Sequence, residues 1–532
     1  MRTVYRNGVV HARPAAGAPP TALVVEDGRI AWIGADAELP DGPADEVVDL
    51  AGALVAPGFV DAHAHVLETG LAAVGIDLST ARSLEGALDL VAAAVAGDPS
   101  GPVLAFGWDE TAWPERRPPT AAEVDRAAGG AEAYLARADL HSAVVSAALA
   151  TRAGVRDLPG WAGGVVTGRA HERVRESLRE ADPARRAALV RAALALMARQ
   201  GVVSVHEHSV PALDTRADLA ALLAATRDPA SGLPEVVGYR AELCETATDA
   251  RRLADEIPGL AGVGGDLNVD GSLGSRSAAL RAPYADDPAA GSGQLQLAAE
   301  QIANHVGAAT RAGLQAAFHV IGDAAMHEVL LGCQAAAEVE GVDAVRAAGH
   351  RIEHGEMVDA PALARIVLLG LTISAQPAFD AAWGGPGGMY AQRLGPVRAA
   401  NLNPLADLVA SGVRLAFGSD SPVTPVDPWG GVRAAVLHHE PGQRLSAGTA
   451  FRAHTVGGHQ AARRAGGELH VGAPATFAVW RADILEDGVA ASPAAGREAS
   501  HGPLPAAASH GDAVPPTCLR TVRDGVLLYE TP

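Results

Sequence analysis

The sequence predicts an α/β protein: a TIM-like (β/α)8 barrel that carries a small β-sandwich domain formed from both chain termini. Between residues 57 and 464, short apolar runs alternate with alanine-rich stretches of helical character. The runs at 103–108, 201–206, 314–322, 371–377 and 413–420 suit strands that are covered on both faces, and their number is compatible with eight parallel strands. Residues 1–56 and 465–532 have β character instead, which predicts that the two ends share one sheet domain beside a barrel at 57–464.

The length, composition and charge of the chain indicate a globular protein of two structural units and argue against some classes of partner. A chain of 532 residues exceeds what one hydrophobic core usually serves, so two structural units are expected. Hydrophobic residues make up 48% and charged residues 20%, as in globular proteins. The formal charge of -20 is spread along the chain without a basic block, which argues against nucleic acid and anionic membranes as partners. We expect a small-molecule substrate and allow for a homodimer.

Three further features bear on location and mobility. The N-terminal residues lack a run long enough for a signal peptide, and no later run reaches about 18 apolar residues, so a cytoplasmic location is expected. Cys244, Cys333 and Cys518 lie far apart, and we expect them to be buried apolar residues. Residues 486–517, rich in Ala, Pro, Gly and Ser, are expected to form a flexible insertion.

The first chemical signal is a pair of histidines, His63 and His65, at the end of a β-type run. A period of two places both imidazoles on one face of a strand. At the carboxyl end of a barrel strand that face points to the mouth, where enzymes of this architecture keep their active sites. Two neutral imidazoles suit a divalent cation such as zinc, although an isolated pair is also compatible with two core histidines.

Three later segments have the same form, in which a β-type run ends in a side chain able to bind a metal. They offer His319, His354 and Asp420. Each alone is also compatible with a core histidine or a helix-capping aspartate. The order and spacing of all of them together favour a metal site.

These segments resemble the amidohydrolase superfamily, specifically its branch of YtcJ-like and N-substituted formamide deformylase-like proteins. The resemblance covers nearly the whole chain, and residues 270–276, Asp-Gly-Ser-Leu-Gly-Ser-Arg, are particularly characteristic. It implies a (β/α)8 barrel with a β domain made of both termini. It also implies that His63, His65, His319 and His354 are metal ligands and that Asp420 is both a ligand and the proton shuttle. One or two divalent ions, most simply zinc, are the implied cofactor.

One position departs from the resemblance. Many members of that superfamily bridge two metals with a carboxylated lysine, and this chain contains no lysine at all. The corresponding residue is Asp266, and strand periodicity would place it on one face with Asn268 and Asp270. Asp266 is therefore a candidate bridge between two metals. Alternatively it holds an imidazole or a water beside a single metal, or it is purely structural.

Other polar residues are predicted to support the ligands. His206, Glu207 and His208 end the run that begins at Gly201, and they are reserve ligands, orienting groups or ordinary hydrogen-bonding residues. Asp270, Asp323, Glu353 and His206 are expected to contact ligands rather than metal. Residues 139–142 resemble a segment of the family that lies near the substrate.

Aromatic residues make up only 4% of the chain, so their placement is informative. Trp108, Phe379, Trp383 and Tyr390 fall in or beside predicted strand-to-helix loops, together with Met389, and are candidates for an apolar substrate pocket or for ordinary loop packing. Arg276 is a candidate for gripping an anionic or carbonyl group of the substrate, or for a structural ion pair.

The resulting hypothesis is metal-dependent hydrolysis of a non-peptide C–N bond, of amide or N-formyl type, in a small molecule. A bound metal would activate water, and Asp420 would move the proton from that water to the leaving nitrogen. His319 or His354 would stabilise the oxyanion. The alternatives are an ester, lactone or phosphoester hydrolase and a scaffold without catalysis.

Overall fold

The computed structural model describes residues 1–12, 19–97, 101–179, 182–485, 503–508 and 514–532. Its centre is a sheet of eight parallel strands in sequential order. The strands are β1 (Phe59–Ala64), β2 (Val202–Ser209), β3 (Glu235–Arg240), β4 (Gly262–Val263), β5 (Gln315–Val320), β6 (Arg351–His354), β7 (Thr372–Ala375) and β8 (Arg414–Phe417).

The sheet nearly closes into a barrel between its first and last strands. Ala64 bridges Ser421 in parallel, and the amide of His65 donates to the Ser421 carbonyl at 2.9 Å. All residues of β1, β2, β5, β6 and β7 are buried, as expected for strands with the barrel interior on one face and helices on the other. The predicted α/β barrel is therefore confirmed.

Helices follow the strands and form the outer layer. Those that follow the barrel strands are Val66–Val74, Pro183–Arg199, Arg216–Arg227, Ala247–Glu256, Ala299–Ala312, Asp323–Glu340, Val342–Ala348, Ala360–Leu369, Pro377–Trp383, Met389–Leu394, Pro396–Ala399, Leu405–Ala410, Pro428–Val436, Ala447–Ala453 and Val456–Ala461. One large core of buried aliphatic and aromatic residues lies between this layer and the strands. None of the described helices is long and apolar enough to cross a membrane.

A second sheet is inserted between β1 and β2. Its six strands, in spatial order, are Trp161–Ala162, Val165–Thr167, Ser142–Val145, Ala133–Arg137, Val103–Trp108 and Ile76–Asp77, and its helices are Leu84–Gly97, Ala121–Ala127, Ala147–Ala153 and Gly168–Ser177. The run at 103–108 was expected among the barrel strands, and this was wrong. It pairs in parallel with Ala133–Arg137, which gives it the same apolar character as a barrel strand.

The two ends of the chain meet in one five-stranded sheet, which contains Val9–Val10, Leu54–Pro57, Phe477–Arg481, Thr517–Arg523 and Val526–Glu530. A four-stranded sheet of Arg2–Arg6, Ala22–Glu26, Arg29–Gly34 and Glu46–Asp49 lies beside it. One apolar cluster joins residues of both sheets, including Tyr5, Leu23, Val55, Phe477 and Val522. The termini therefore share a sheet, while the domain boundaries at 56 and 465 remain predictions.

The predicted insertion at 486–517 lies largely outside the described residues. Its described parts are 503–508 and 514–517, where Leu504–Pro505 pairs with Ile484–Leu485. Cys244, Cys333 and Cys518 are buried free thiols, as expected.

Candidate metal centre

Five of the predicted ligands come from four strands and meet at the carboxyl end of the barrel. His63 lies in β1 and His65 directly follows it, while His319 is in β5 and His354 ends β6. Asp420 follows β8. All five residues are at most 6% exposed. Parallel strands of a barrel end at the same face, so residues separated by hundreds of positions become neighbours.

Asp266 lies between two segments that pair with β5. Strand β4 ends at Val263, and the chain pairs with β5 again at Asn268, which bridges His319 in parallel. Gly264 and Gly265 have φ values of +97° and +85°, and a Cβ on Gly264 would lie 1.9 Å from the Ala317 carbonyl oxygen. Glycine therefore permits the turn that brings the Asp266 carboxylate back to the barrel axis.

The donor atoms are a few ångströms apart. The Asp420 Oδ1 atom is 3.4 Å from His63 Nε2 and 3.3 Å from His65 Nε2. Asp266 Oδ2 lies 3.3 Å from His65 Nε2, and Asp266 Oδ1 lies 3.8 Å from both His63 Nε2 and His354 Nε2. Ligands bound tetrahedrally to one zinc ion at about 2.0–2.1 Å are about 3.3 Å apart. The spacing therefore fits a shared cation.

Unpartnered atoms provide an independent test of that fit. His63 Nε2, His319 Nδ1, His354 Nε2, Asp266 Oδ1 and Asp420 Oδ1 are buried and lack a hydrogen-bond partner among the described residues. Leaving so many buried donors and acceptors unpaired is costly unless another group satisfies them. Imidazole nitrogens and carboxylate oxygens are the ligands that zinc and similar divalent ions take. The donor set therefore fits a divalent cation.

Asp266 belongs to two groups of potential ligands. One comprises His63, His65 and Asp266, and the other comprises Asp266, His319 and His354. A third group joins His63 and His354 to Asp420, and a fourth joins His63 and Glu353 to His208. The arrangement around Asp266 suits either one cation or two that share its carboxylate.

A second layer of side chains orients the histidines. His63 Nδ1 is 2.9 Å from Glu353 Oε2, and both oxygens of Glu353 accept hydrogen bonds from Arg351, at 2.8 and 2.9 Å. His354 Nδ1 lies 2.8 Å from Gln376 Oε1. Such contacts fix the tautomer and the ring plane of a metal-binding histidine. The sequence predicted a supporting role for Glu353. It did not predict the roles of Arg351 and Gln376, because their spacing along the chain does not distinguish them from residues of the barrel core.

The other predicted supporting residues have different environments. Asp270 accepts from the amides of Ala279, Ile321 and Gly322, and its Oδ1 is 3.7 Å from His319 Nδ1. His206 Nδ1 lies 2.8 Å from Arg351 Nη1. His206 therefore contacts Arg351, which supports Glu353, and does not contact a predicted ligand directly.

Asp323 does not support a ligand. It begins the helix Asp323–Glu340, and its carboxylate accepts from the amide of Arg281 at 2.8 Å. The structure therefore brings Asp323 to the segment after residues 270–276 and not to a predicted ligand.

Carboxylates dominate the charge of the centre. Burial opposes protonation of His63, but the carboxylates of Asp420 and Glu353 outweigh it and raise its pKa to about 9. Burial likewise disfavours the charged form of His65, yet Asp266 and Asp420 hold its pKa well above the usual value. The buried carboxylates thus favour the protonated, cationic form of these imidazoles. A bound cation would neutralise the same negative charge in place of those protons.

A cavity opens beside these ligands. Its lining includes His319, His354 and Asp420 together with Phe379, Trp383 and Tyr390, so the structure brings these predicted residues together.

Two of the predicted substrate contacts lie elsewhere. Trp108 belongs to the inserted sheet, where its indole N–H donates to the Leu135 carbonyl at 2.8 Å. Arg276 does not line the cavity, and its guanidinium pairs with Asp286 at 2.7 Å. For Arg276 the structure agrees with the alternative interpretation, a structural ion pair, and Trp108 packs within the inserted sheet instead of lining the cavity. A strand end of a separate sheet and an ion pair within a loop give the same sequence signal as a residue at the barrel mouth.

The inserted sheet contributes a histidine that was only loosely indicated by the sequence. His141 lines the cavity, and its Nε2 atom is 3.1 Å from His319 Nε2. Burial and the neighbouring His319 lower its pKa to about 4, so it is a neutral imidazole at neutral pH. The segment 139–142 therefore lies at the cavity, which is where its resemblance suggested.

Comparisons with known proteins agree with this geometry. The chain is 26% identical to "Putative amidohydrolase YtcJ" of Bacillus subtilis over 459 residues, covering 82% of this chain and 84% of that protein. It is 24% identical to N-substituted formamide deformylase of Arthrobacter pascens over 548 residues, covering 96% and 95%. The crystal structure of an uncharacterized metal-dependent hydrolase from Pyrococcus furiosus matches with a TM-score of 0.68 at 28% identity, covering 90% of this chain and 98% of that chain. The model of the amidohydrolase family matches residues 46–529. The chain therefore belongs to the amidohydrolase family, in the branch that contains YtcJ and N-substituted formamide deformylase.

Proposed function

We propose that this protein hydrolyses a non-peptide C–N bond, of amide or N-formyl type, in a small molecule with the help of a bound divalent metal, most simply zinc. The observation that carries the proposal is the convergence of unpartnered imidazole and carboxylate atoms beside a cavity that aromatic residues also line. The relatives named amidohydrolase and formamide deformylase support the choice of bond.

Six residues would hold the metal: His63, His65, Asp266, His319, His354 and Asp420. A divalent ion in such a site supplies Lewis acidity, polarising the scissile carbonyl and lowering the pKa of water. Asp266 is proposed as the bridge between two ions, since it belongs to both groups of potential ligands. It takes the place that a carboxylated lysine would otherwise fill.

Asp420 is proposed to move the proton. Its carboxylate lines the cavity and touches both His63 and His65, so it lies between the metal site and the substrate. As a base it accepts a proton from the attacking water, and as an acid it returns that proton to the leaving nitrogen. The leaving nitrogen needs the proton because an amide anion is a poor leaving group.

Other cavity residues act by position. His319 and His354 line the cavity and are placed to donate a hydrogen bond to the developing oxyanion when not engaged by metal. Phe379, Trp383 and Tyr390 exclude water from the substrate and hold its apolar part.

Metal analysis together with hydrolysis assays tests the proposal. Chelation followed by reconstitution should abolish and then restore the hydrolysis of N-substituted amides, with esters, lactones and phosphoesters as the comparison panel. Activity that survives complete metal removal would end the metal mechanism. A substrate profile confined to esters or phosphoesters would end the choice of the C–N bond.

The role of Asp266 has its own test. Asp266→Ala should reduce the metal content from two ions per chain to one or fewer, measured by elemental analysis, while Asp420→Asn should retain most of the metal and lower kcat by about 10²–10⁴-fold. An unchanged stoichiometry of two in Asp266→Ala would exclude an essential bridge.

A further inference from the structure

Glu356 is a cavity residue that the proposed mechanism does not use. It is 2% exposed, it lines the cavity, and its Oε2 atom is buried without a hydrogen-bond partner among the described residues. It belongs to none of the four groups of potential metal ligands. Tyr390 lines the same cavity.

Acidic side chains line the cavity. They are Asp139, Glu356 and Asp420, and no arginine is among the lining residues that the structure describes. The arginines behind the wall are already paired: Arg137 with Asp139 and Arg393 with other carboxylates. A ligand carboxylate away from the metal would therefore find no arginine to pair with on the described lining.

Another part of the lining is apolar and aromatic. Phe379 and Trp383 pack edge-to-face with ring centroids 5.0 Å apart, and Met389 belongs to the same lining. A ligand in the cavity would meet these apolar residues together with the buried acceptor oxygen of Glu356. Either form of a carboxyl group has such an acceptor, so the argument does not depend on its protonation.

We propose that Glu356 determines substrate specificity by accepting a hydrogen bond from an N–H or ammonium group that neighbours the apolar part of the substrate. This rests on the proposed function in naming the ligand as the substrate. It identifies the substrate class as neutral or cationic amides that carry a nitrogen donor next to an apolar group. A site whose buried acceptor is left unpaired by a ligand discriminates against that ligand strongly.

Binding of two matched probes to the metal-loaded protein tests the inference without requiring catalysis. The probes are 2-phenylethylamine, which has an ammonium donor, and 2-phenylethyl methyl ether, which has the same ring and only an acceptor. Calorimetry should show the amine binding at least about tenfold more tightly to the unaltered protein. Equal affinities for the two probes would overturn the inference.

Three variants assign the preference to Glu356. In Glu356→Leu the ratio of the two affinities should fall to within about twofold of one. Glu356→Gln keeps an acceptor oxygen on a side chain of the same size, so its ratio should remain above that of the leucine variant. Glu338→Gln makes the same substitution at an exposed site and should leave the ratio unaltered.

A preference for the amine that persists in Glu356→Leu would overturn the inference, because the metal or another wall residue would then bind the nitrogen. If the leucine variant does not fold, Glu356→Met, which also removes the acceptor oxygen, replaces it, and a preference that persists there has the same meaning. The amide assays separate the two proposals. A preference that depends on Glu356 without any amide hydrolysis would refute the proposed function and leave the recognition role. Hydrolysis with no dependence on Glu356 would refute the recognition role alone.

Discussion

His63 has two ring nitrogens with different tasks. Nδ1 faces Glu353 Oε2 at 2.9 Å, whereas Nε2 is buried without a hydrogen-bond partner among the described residues and faces Asp266 and Asp420. With a metal bound at Nε2, the proton belongs on Nδ1, where it is donated to Glu353, and the lone pair of Nε2 points to the ion. The pair Arg351 and Glu353 therefore determines which nitrogen can bind metal.

Glu353→Gln tests this chain of contacts. The variant keeps an acceptor for His63 but removes the carboxylate that pairs with buried Arg351, so metal affinity should fall about 10–100-fold. The uncompensated arginine should lower the free energy of unfolding by about 3–5 kcal/mol. Chelator competition measures the affinity and urea denaturation measures the stability. Glu338→Gln is the control, and a metal affinity unchanged in Glu353→Gln would contradict the role.

At the scale of single residues, the sequence predicted the polar side chains that end or follow barrel strands, but it missed several residues that contact those side chains. His63, His65, His319, His354 and Asp420 follow apolar runs, and the barrel brings such ends together whatever their distance in the chain. Gln376 and His141 approach from a neighbouring strand end and from the inserted sheet. Their positions depend on how loops fold over the mouth, which no periodicity encodes.

At the scale of elements, the segment after β8 joins the last strand to the first. Asp61 in β1 accepts hydrogen bonds from the amide of Ser419 at 2.9 Å and from its hydroxyl at 2.6 Å. The amide of Asp420 donates to the carbonyl of His63 at 2.7 Å. These contacts hold the proposed proton shuttle against the histidine pair.

Gly418→Ala should disturb the centre without altering any proposed ligand. A Cβ at Gly418 would lie 2.4 Å from the backbone nitrogen of His63 and 2.9 Å from its Cβ, so the two strand ends must separate. We expect a loss of at least about 1–3 kcal/mol in the free energy of unfolding together with weaker metal binding. Gly442→Ala, whose new Cβ would meet only a side-chain oxygen at 3.7 Å, is the control. Full metal content and an unchanged free energy of unfolding in Gly418→Ala would contradict this prediction, because the two strand ends could then separate without destabilising the protein or the metal site.

The inserted sheet is attached to the cavity by a buried ionic network. Arg137 at the end of the strand Ala133–Arg137 pairs with Asp109, Glu110 and Asp139 at 2.9–3.1 Å. Asp139 also accepts hydrogen bonds from Ser272 and Ser275, which belong to the characteristic segment at 270–276. The network thus connects that segment to the sheet that carries His141.

Asp139 should make stability depend on pH. Burial favours its neutral form, but Arg137 and His141 outweigh burial and lower its pKa to about 2, against an ordinary value of 3.8. Because the folded pKa is depressed, its stabilisation is complete above about pH 4 and is lost as the pH falls towards 2. A shift of this size corresponds to about 2 kcal/mol.

Urea denaturation of Asp139→Asn between pH 6 and pH 3 measures this contribution. The variant should be less stable than the unaltered protein by about 2 kcal/mol at pH 6, and the difference should shrink as the pH approaches 3. Asp89→Asn, at an exposed helix position, should differ little at either pH. A difference that is the same at pH 6 and pH 3 would mean that Asp139 does not titrate with folding.

At the scale of the whole molecule, hairpin signals and alternation were enough to predict that the termini share a sheet. Asp27-Gly28 and Asp524-Gly525 each form the turn of a hairpin with positive φ at both residues. The inserted six-stranded sheet was not predicted, because its parallel pair repeats the texture of barrel strands. A sequence pattern gives the type of an element but not the sheet to which it belongs.

Trp480 packs between the terminal sheet and the barrel. It lies in the strand Phe477–Arg481, is 1% exposed, and meets Phe59 of β1 and Trp429 of the helix Pro428–Val436 edge-to-face, with ring centroids 5.9 and 5.7 Å away. A Cβ at Gly201, just before β2, would lie 2.3 Å from the indole ring, which shows how closely the barrel approaches it. The terminal sheet is therefore packed against the barrel core rather than attached only by its connections.

Trp480→Ala should destabilise both parts of the molecule together. Removing the indole leaves a cavity where the core of the barrel meets the terminal sheet, with an expected loss of about 3–5 kcal/mol in the free energy of unfolding. Circular dichroism and tryptophan fluorescence during denaturation should shift to lower denaturant in parallel, because the two parts support each other through this contact. Trp32→Ala removes a half-buried tryptophan of the four-stranded sheet and should cost less. If the unaltered protein instead unfolds in two separate transitions, and Trp480→Ala moves only one of them, the terminal sheet folds independently of the barrel and the metal centre does not depend on it.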